Sequence, residues 1–156
     1  MNKNTNKAGL MKRLAALFYD AIVVIAVEMM AGGLIIAIIF ALNAAGLMGY
    51  GQYIDASDLL TRHPVFSLLY TSYLVAVWVG FFVFFWTRAG QTLGMRAWKL
   101  RVQNSDGSTI SATQALIRLT TSAFGLGNFT VPFDPEKRAF QDMWAKSEVI
   151  VLEKAR

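Results

Sequence analysis

The run LFYDAIVVIAVEMMAGGLIIAIIFAL, Leu17–Leu42, decides how this chain is read. Its 26 residues are more than the roughly 20 an α-helix needs to cross the hydrocarbon core of a bilayer. Asp20 lies near its start, Glu28 near its middle, and Arg13 just upstream. A second run, VFSLLYTSYLVAVWVGFFVFFW at Val65–Trp86, extends over 22 residues without one formal charge. Composition agrees: 55% of the chain is hydrophobic and 16% charged, where soluble chains carry about 25%. Mean hydropathy is +0.43. These features predict an integral membrane protein.

In that setting the net charge of +5 is read as basic residues facing anionic lipid on the inner side. No basic stretch is interleaved with aromatics in a soluble module, so nucleic acid is not expected as a partner. The chain has no cysteine, which removes disulfides, thiolate metal sites and cysteine nucleophiles together. Lys3, Lys7, Lys12 and Arg13 ahead of an apolar run resemble the start of a signal peptide. That run is longer than the 7–15-residue core of such a peptide, and no small-x-small site follows a short core, so a retained first helix is expected.

The expected order is a basic cytoplasmic tail at residues 1–12, a first spanning helix at Arg13–Leu42, a loop at Asn43–Pro64 and a second spanning helix at Val65–Trp86. A polar inner segment, Thr87–Thr109, a third apolar stretch, Ile110–Phe133, and a C-terminal tail ending in residues 153–156 follow. The N-terminal tail with Arg13 holds four basic residues, as does Thr87–Thr109 (Arg88, Arg96, Lys99, Arg101), against one, Arg62, in the loop between the helices. By the positive-inside rule both ends of the hairpin lie in the cytoplasm.

The third stretch, SATQALIRLTTSAFGLGNFTVPF, is long enough to cross but carries Gln114, Arg118 and Asn128. Crossing would put Lys137, Arg138, Lys146, Lys154 and Arg156 outside. An embedded helix beginning near Ser111, re-entrant or lying in the interface, avoids that conflict and is favoured over a simple span. WKLRVQNSDGSTIS reads as two short strands joined at Asp106-Gly107, a two-residue hairpin signal, and EVIVL at Glu148–Leu152 as another strand. The expected fold is therefore all-α and membrane-embedded: two clear transmembrane helices, a third embedded or spanning helix, and a small cytoplasmic β-hairpin.

Arg13 and Asp20 are seven residues apart, two helical turns and about 10 Å, so each needs a partner elsewhere. Glu28 lies about 80° round from Asp20, and the three mark one polar side of the first helix. An acid near the bilayer centre costs a few kcal/mol and must be protonated, paired or wetted. Holding neighbouring helices together and relaying protons or cations both remain open as roles. Gly32-Gly33, one turn beyond, permits a kink or a close helix crossing.

The remaining motifs carry little chemistry. Gly90–Gly94 lacks the Gly-Lys-Ser/Thr ending of a phosphate-cradling loop and is read as turning the chain at the interface. Arg96, Trp98, Lys99 and Arg101 would then meet lipid headgroups, the cations snorkelling and the tryptophan seated at the boundary. His63, the only histidine, lies with Asp55 and Asp58 in the outer loop and reads as a solvated loop residue rather than a metal ligand. No catalytic residues, metal or cofactor are expected, and the chain is not read as an enzyme.

Arg13, Asp20 and Asp142 in FQDMWAKSEVIV, with GQTLGMRAWKLRVQNSDGSTIS and ALIRLT between them, resemble the RDD family of bacterial membrane proteins, named for one arginine and two aspartates. The resemblance covers Met11 to Leu152, which makes residues 13–152 an RDD-type transmembrane domain. The chain departs from many relatives by Gln141-Asp142 where they have His-Asp, and Glu28 lies outside the naming triad. The resemblance implies a multi-pass protein of the bacterial inner membrane and transport of a small ligand or cation, with sodium/proton exchange suggested for some members. An accessory role, in which the charges hold packing and an oligomer or partner complex together, stays beside it. Partners are then membrane lipids, further copies of the chain, and a small cation or another small ligand. Two ion pairs are expected, Arg118 with Asp20 by depth, and Arg13 with Asp142 nearer the inner surface.

Overall fold

The computed structural model describes residues 6–152. Six helices, two strands and a 3-10 segment follow one another in the order α1 (Leu10–Ala44), α2 (Ala56–Arg62), α3 (Pro64–Arg88), α4 (Leu93–Ala97), β1 (Leu100–Gln103), α5 (Ala112–Thr121), the 3-10 segment Ala123–Phe133, α6 (Phe140–Trp144) and β2 (Glu148–Val151). Among the described residues α1 and α3 are the two helices long and apolar enough to cross a membrane. At 1.5 Å per residue they measure about 52 and 37 Å. Both overrun the expected limits by one to three residues at each end, and α1 runs unbroken through Gly32-Gly33.

The chain forms two compact units, one comprising Val24–Trp78 and the other the segments ending at Val23 and starting at Val79. In the first, Ile39, Ala56, Leu59 and Leu60 form a small core that Tyr53, Phe66 and Tyr70 pack against. The loop of the sequence reading thus contains a helix, α2. Asp55 caps it by accepting the Asp58 N–H at 2.8 Å. His63 ends it, and its Nδ1 accepts the N–H groups of Val65 and Phe66 at the first turn of α3, behind Pro64 at the first helical position. Asp58 meanwhile pairs with Arg62 at 3.0 Å. All three candidate ligands of that loop are occupied with capping and pairing.

The second unit is built around a two-stranded sheet, and here the sequence reading is corrected. The Asp106-Gly107 turn forms: Gly107 lies at φ +87°, Asn104 N–H donates to Ser108 O at 2.9 Å, and Asp106 Oδ1 accepts the Ser108 N–H. No strand follows it, because Ser111 and Gln114 exchange side-chain and backbone hydrogen bonds in a capping box that starts α5 at once. β1 pairs instead with β2, antiparallel, Leu100 opposite Val151 and Gln103 opposite Glu148. Residues of the expected basic tail join in. Ala8 N–H donates to Val149 O at 2.9 Å, and Lys7 bridges to Ile150. Of that tail, residues 1–5, including Lys3, lie outside the described residues, as does the 153–156 tail.

The third apolar stretch is not one helix. α5 is 10 residues long, about 15 Å, too short to cross. Ala123, Phe124 and Gly125 then take φ of +44°, +55° and +99°, which ends helical continuity before the 3-10 segment. Among the described residues, no helix long enough to span forms in this stretch.

Candidate functional site

Asp142 stands at the first turn of α6 and is 0% exposed. Its Oδ2 accepts from Arg13 Nη1 at 2.6 Å and from the Ala139 N–H at 2.9 Å; its Oδ1 accepts from Arg118 Nη1 at 2.6 Å. Arg13, on the first turn of α1, spreads its other nitrogens onto the main chain, Nε to Ala8 O at 3.0 Å and Nη2 to Lys137 O at 3.1 Å. Arg118, near the end of α5, donates as well to the buried Ser147 hydroxyl, and its guanidinium lies 5.4 Å from the Trp86 ring centre. One carboxylate thus ties the starts of α1 and α6 and the end of α5 into a buried set with two positive charges and one negative. Burial by itself pushes the Asp142 carboxyl up, but the Arg118 and Arg13 guanidiniums and the Ala139 N–H outweigh it and hold the group below its usual range.

Of the two pairs expected from sequence, Arg13 with Asp142 forms. Arg118 with Asp20 does not: Arg118 goes to Asp142, which can serve two guanidiniums because each uses a different oxygen. Asp20 is taken by the motif between α3 and β1. Thr92 Oγ1–H donates to Asp20 Oδ2 at 2.5 Å, and Gly94 N–H donates to Oδ1 at 2.8 Å. Thr92 Oγ1 in turn accepts the Met95 N–H at 3.2 Å as the cap of α4. Gly94 is required here, since a Cβ would land on Ala16 O and within 2.9 Å of the Asp20 backbone nitrogen. Gly90, at φ +66°, ends α3 and offers its carbonyl to the Val102 N–H at 2.7 Å, and a Cβ there would meet Val102 O at 2.6 Å. The Gly90-x-Thr92-x-Gly94 motif therefore turns the chain, as expected, and also seats the Asp20 carboxylate, which spacing alone did not show.

Glu28 belongs to the other unit, Val24–Trp78, and is half-buried. Its Oε1 is shielded and meets no hydrogen-bond donor among the described residues. Arg96, Trp98 and Lys99 are exposed, while Arg101 is half-buried with its Nε enclosed. Gly94, read from sequence only as part of the turn, completes the site with Thr92, Ser147 and Trp86, which were not singled out. The signal for the first two was the Gly-x-Thr-x-Gly spacing; Ser147 and Trp86 carried none.

The described residues hold no group of three histidine, cysteine or acidic side chains placed to bind a metal ion. Chemically, the arrangement is a pair of buried carboxylates, Asp142 and Asp20, each with both oxygens engaged by fixed donors. No curated protein and no solved structure matches the chain. The family model described as the RDD family matches residues 7–146, a span that contains Arg13, Asp20, Arg118 and Asp142. Together with two long apolar helices, that match fits a membrane protein. The chain belongs to the RDD family.

Proposed function

We propose that this is a multi-pass protein of the bacterial inner membrane, N-terminus cytoplasmic, acting as an accessory or scaffold component whose charges fasten an inner-face cap onto the start of its first spanning helix. The observation that carries this reading is the saturation of Asp142: two guanidiniums and one N–H occupy a carboxylate with no exposure, which leaves no open face for a passing ion. Asp20 is engaged in the same manner by Thr92 and Gly94. Alpha helices of 10 and five residues have little stability of their own, and the ion set supplies the attachment they lack. Further copies of the chain, or a partner protein, would shield the remaining polar surface of α1.

A second reading, movement of protons or a small cation, is favoured by one observation, the Glu28 oxygen that lacks a donor. Reconstituted vesicles separate the two. The scaffold reading expects no cation-dependent proton flux across a range of pH and cations, and a co-purifying partner lost on Asp142→Asn. Flux that Glu28→Gln abolishes, with folding intact, would establish transport instead. Sidedness is tested with single cysteines in this cysteine-free chain: Ser105→Cys should react with an impermeant maleimide only in inside-out vesicles and Ser57→Cys only in right-side-out ones.

A further inference from the structure

The 3-10 segment buries its small and polar residues and shows its large ones. Gly125, Gly127, Asn128 and Val131 are buried, whereas Phe124 is 85% exposed, Leu126 66% and Phe133 88%. Phe129 between them is also exposed. α6 shows the same inversion, burying Gln141 and Asp142 and exposing Met143 and Trp144, and Leu116 of α5 is exposed beside it. A surface in water sorts its residues the other way, and contiguous exposed apolar area marks a place where something docks.

Depth identifies what covers it. Gly125 is pressed onto Leu17, so closely that a Cβ at Gly125 would overlap Leu17 Cδ2. Leu17 opens the apolar run of α1, about 10 Å along the helix from Leu10. Phe124 and Leu126, flanking Gly125, are therefore held where α1 itself shows Phe18 and Ile22 outward. The segment's exposed face continues the apolar surface of a helix read as spanning. Lys137 and Arg138 follow it within five residues, the order in which a chain leaves acyl chains for anionic headgroups. Trp144, packed against Phe140 with ring centres 5.8 Å apart, is the residue type that seats at that boundary.

We propose that Phe124, Leu126, Phe129 and Phe133 form a wedge embedded in the lipid leaflet around the N-terminal end of α1, its occupant being acyl chains rather than protein. The left-handed turn at Ala123–Gly125 directs the chain into that position without a spanning helix. The proposal rests on the membrane reading above and adds a third, non-crossing element in contact with lipid. Its polar backing, Gln141 Nε2 donating to Asn128 Oδ1 at 2.9 Å, keeps the segment's own amide away from hydrocarbon.

The test uses nitroxide labels on single cysteines at Phe124, Leu126 and Phe133, in the full chain reconstituted in phosphatidylethanolamine/phosphatidylglycerol vesicles. Val75, exposed on α3, gives the lipid reference, and Ser105, in the exposed turn after β1, the water reference. The wedge predicts high collision with oxygen and a nickel-chelate collision several-fold below that at Ser105, matching Val75. Nickel access at 124 and 133 equal to Ser105, with Val75 still lipid-like, overturns the wedge alone. Low access to both reagents with spin–spin broadening shows a second copy on the surface and overturns it too. Nickel access at Val75 overturns the membrane reading itself. The labelled side chains are exposed, and Phe133→Cys carries the test should Phe124→Cys fail to fold.

Discussion

Replacing Asp142 with asparagine tests the buried ion set most directly, because shape is kept and only the charge is lost. The carboxylate is the single negative partner of two guanidiniums, each 2.6 Å away. Removing one partner of a buried pair costs about 3–5 kcal/mol, since the other is left charged and out of water. Against a total stability of about 5–15 kcal/mol that is a large fraction. For a chain of this size it lowers the unfolding midpoint by on the order of 10 °C. Arg118→Gln should cost less, about 1–3 kcal/mol, because Arg13 and Asp142 remain as a neutral pair and only hydrogen bonds and the Trp86 contact are lost. The double variant should be no less stable than Asp142→Asn alone, since the second change removes one of the two stranded charges. The assay is thermal unfolding of detergent-solubilised protein by intrinsic tryptophan fluorescence, with Trp86 as a local reporter. The pH course follows from the direction of the Asp142 shift. Its folded value lies below the usual carboxylate value, so its stabilisation is fully present above about pH 4 and fades only as pH falls through that lower value. The deficit of Asp142→Asn should therefore be constant from neutrality to about pH 4 and shrink below. An asparagine variant as stable as the parent, or Arg118→Gln costing more than Asp142→Asn, refutes the reasoning.

Gly94→Ala should lower stability by about 1–3 kcal/mol, because its Cβ meets backbone atoms of α1 at Ala16 and Asp20 that cannot retreat singly. Gly32→Ala should cost far less, as its Cβ overlaps just the hydroxyl end of the Tyr70 side chain and otherwise makes ordinary contact with Tyr70 and Leu74, and equal midpoints for the two variants would contradict both. Thr92→Val leaves the Asp20 Oδ2 and the Met95 N–H without partners and should cost about 2–3 kcal/mol; Thr92→Ser should recover most of that in the same assay. The Asp134 carboxyl, which accepts from Arg138 Nε and N–H at 2.8 Å, should titrate at about 2 in side-chain NMR, and an ordinary midpoint would show that this contact does not form.

What could be read from the sequence was what period and hydropathy encode. Both long helices were legible because apolar runs of their length have few alternatives, and Glu148–Val151 because Val149, Ile150 and Val151 stand together. The partner of β1 was not legible. A local Asp-Gly signal suggested a hairpin, but Ser111 and Gln114 commit the next residues to a helix start, so the strand pairs with one that follows 44 residues later. The choice between them is made by tertiary contact, which no short window contains. Arg13 with Asp142 was accessible through family resemblance. Arg118 was misassigned to Asp20 because depth was judged along an assumed continuous third helix, and the break at Ala123–Gly125 removes that ruler. The donors to Asp20 were hidden for another reason: a backbone N–H freed at a helix start has no residue signature beyond the glycine that lets it approach.

Why the chain uses charge here, where a well-packed apolar set is often as stable, follows from where the joined elements sit. On the membrane reading proposed above, apolar surfaces beside lipid gain little by meeting one another, so apolar packing alone would neither draw α5 and α6 to α1 nor fix their register. A carboxylate whose two oxygens must face two particular guanidiniums does both. Arg13 at residue 13, Arg118 at 118 and Asp142 at 142 are remote in sequence, and a single geometry satisfies all three. The excess positive charge of that set faces the Trp86 ring and the Ser147 hydroxyl rather than a second acid. A second acid would balance the second arginine and make the set neutral, and the cap would then no longer hang on Asp142 alone. The family's one arginine and two aspartates thus divide their labour in this chain: Asp20 seats the turn after α3, and Arg13 with Asp142, joined by Arg118, seats the cap.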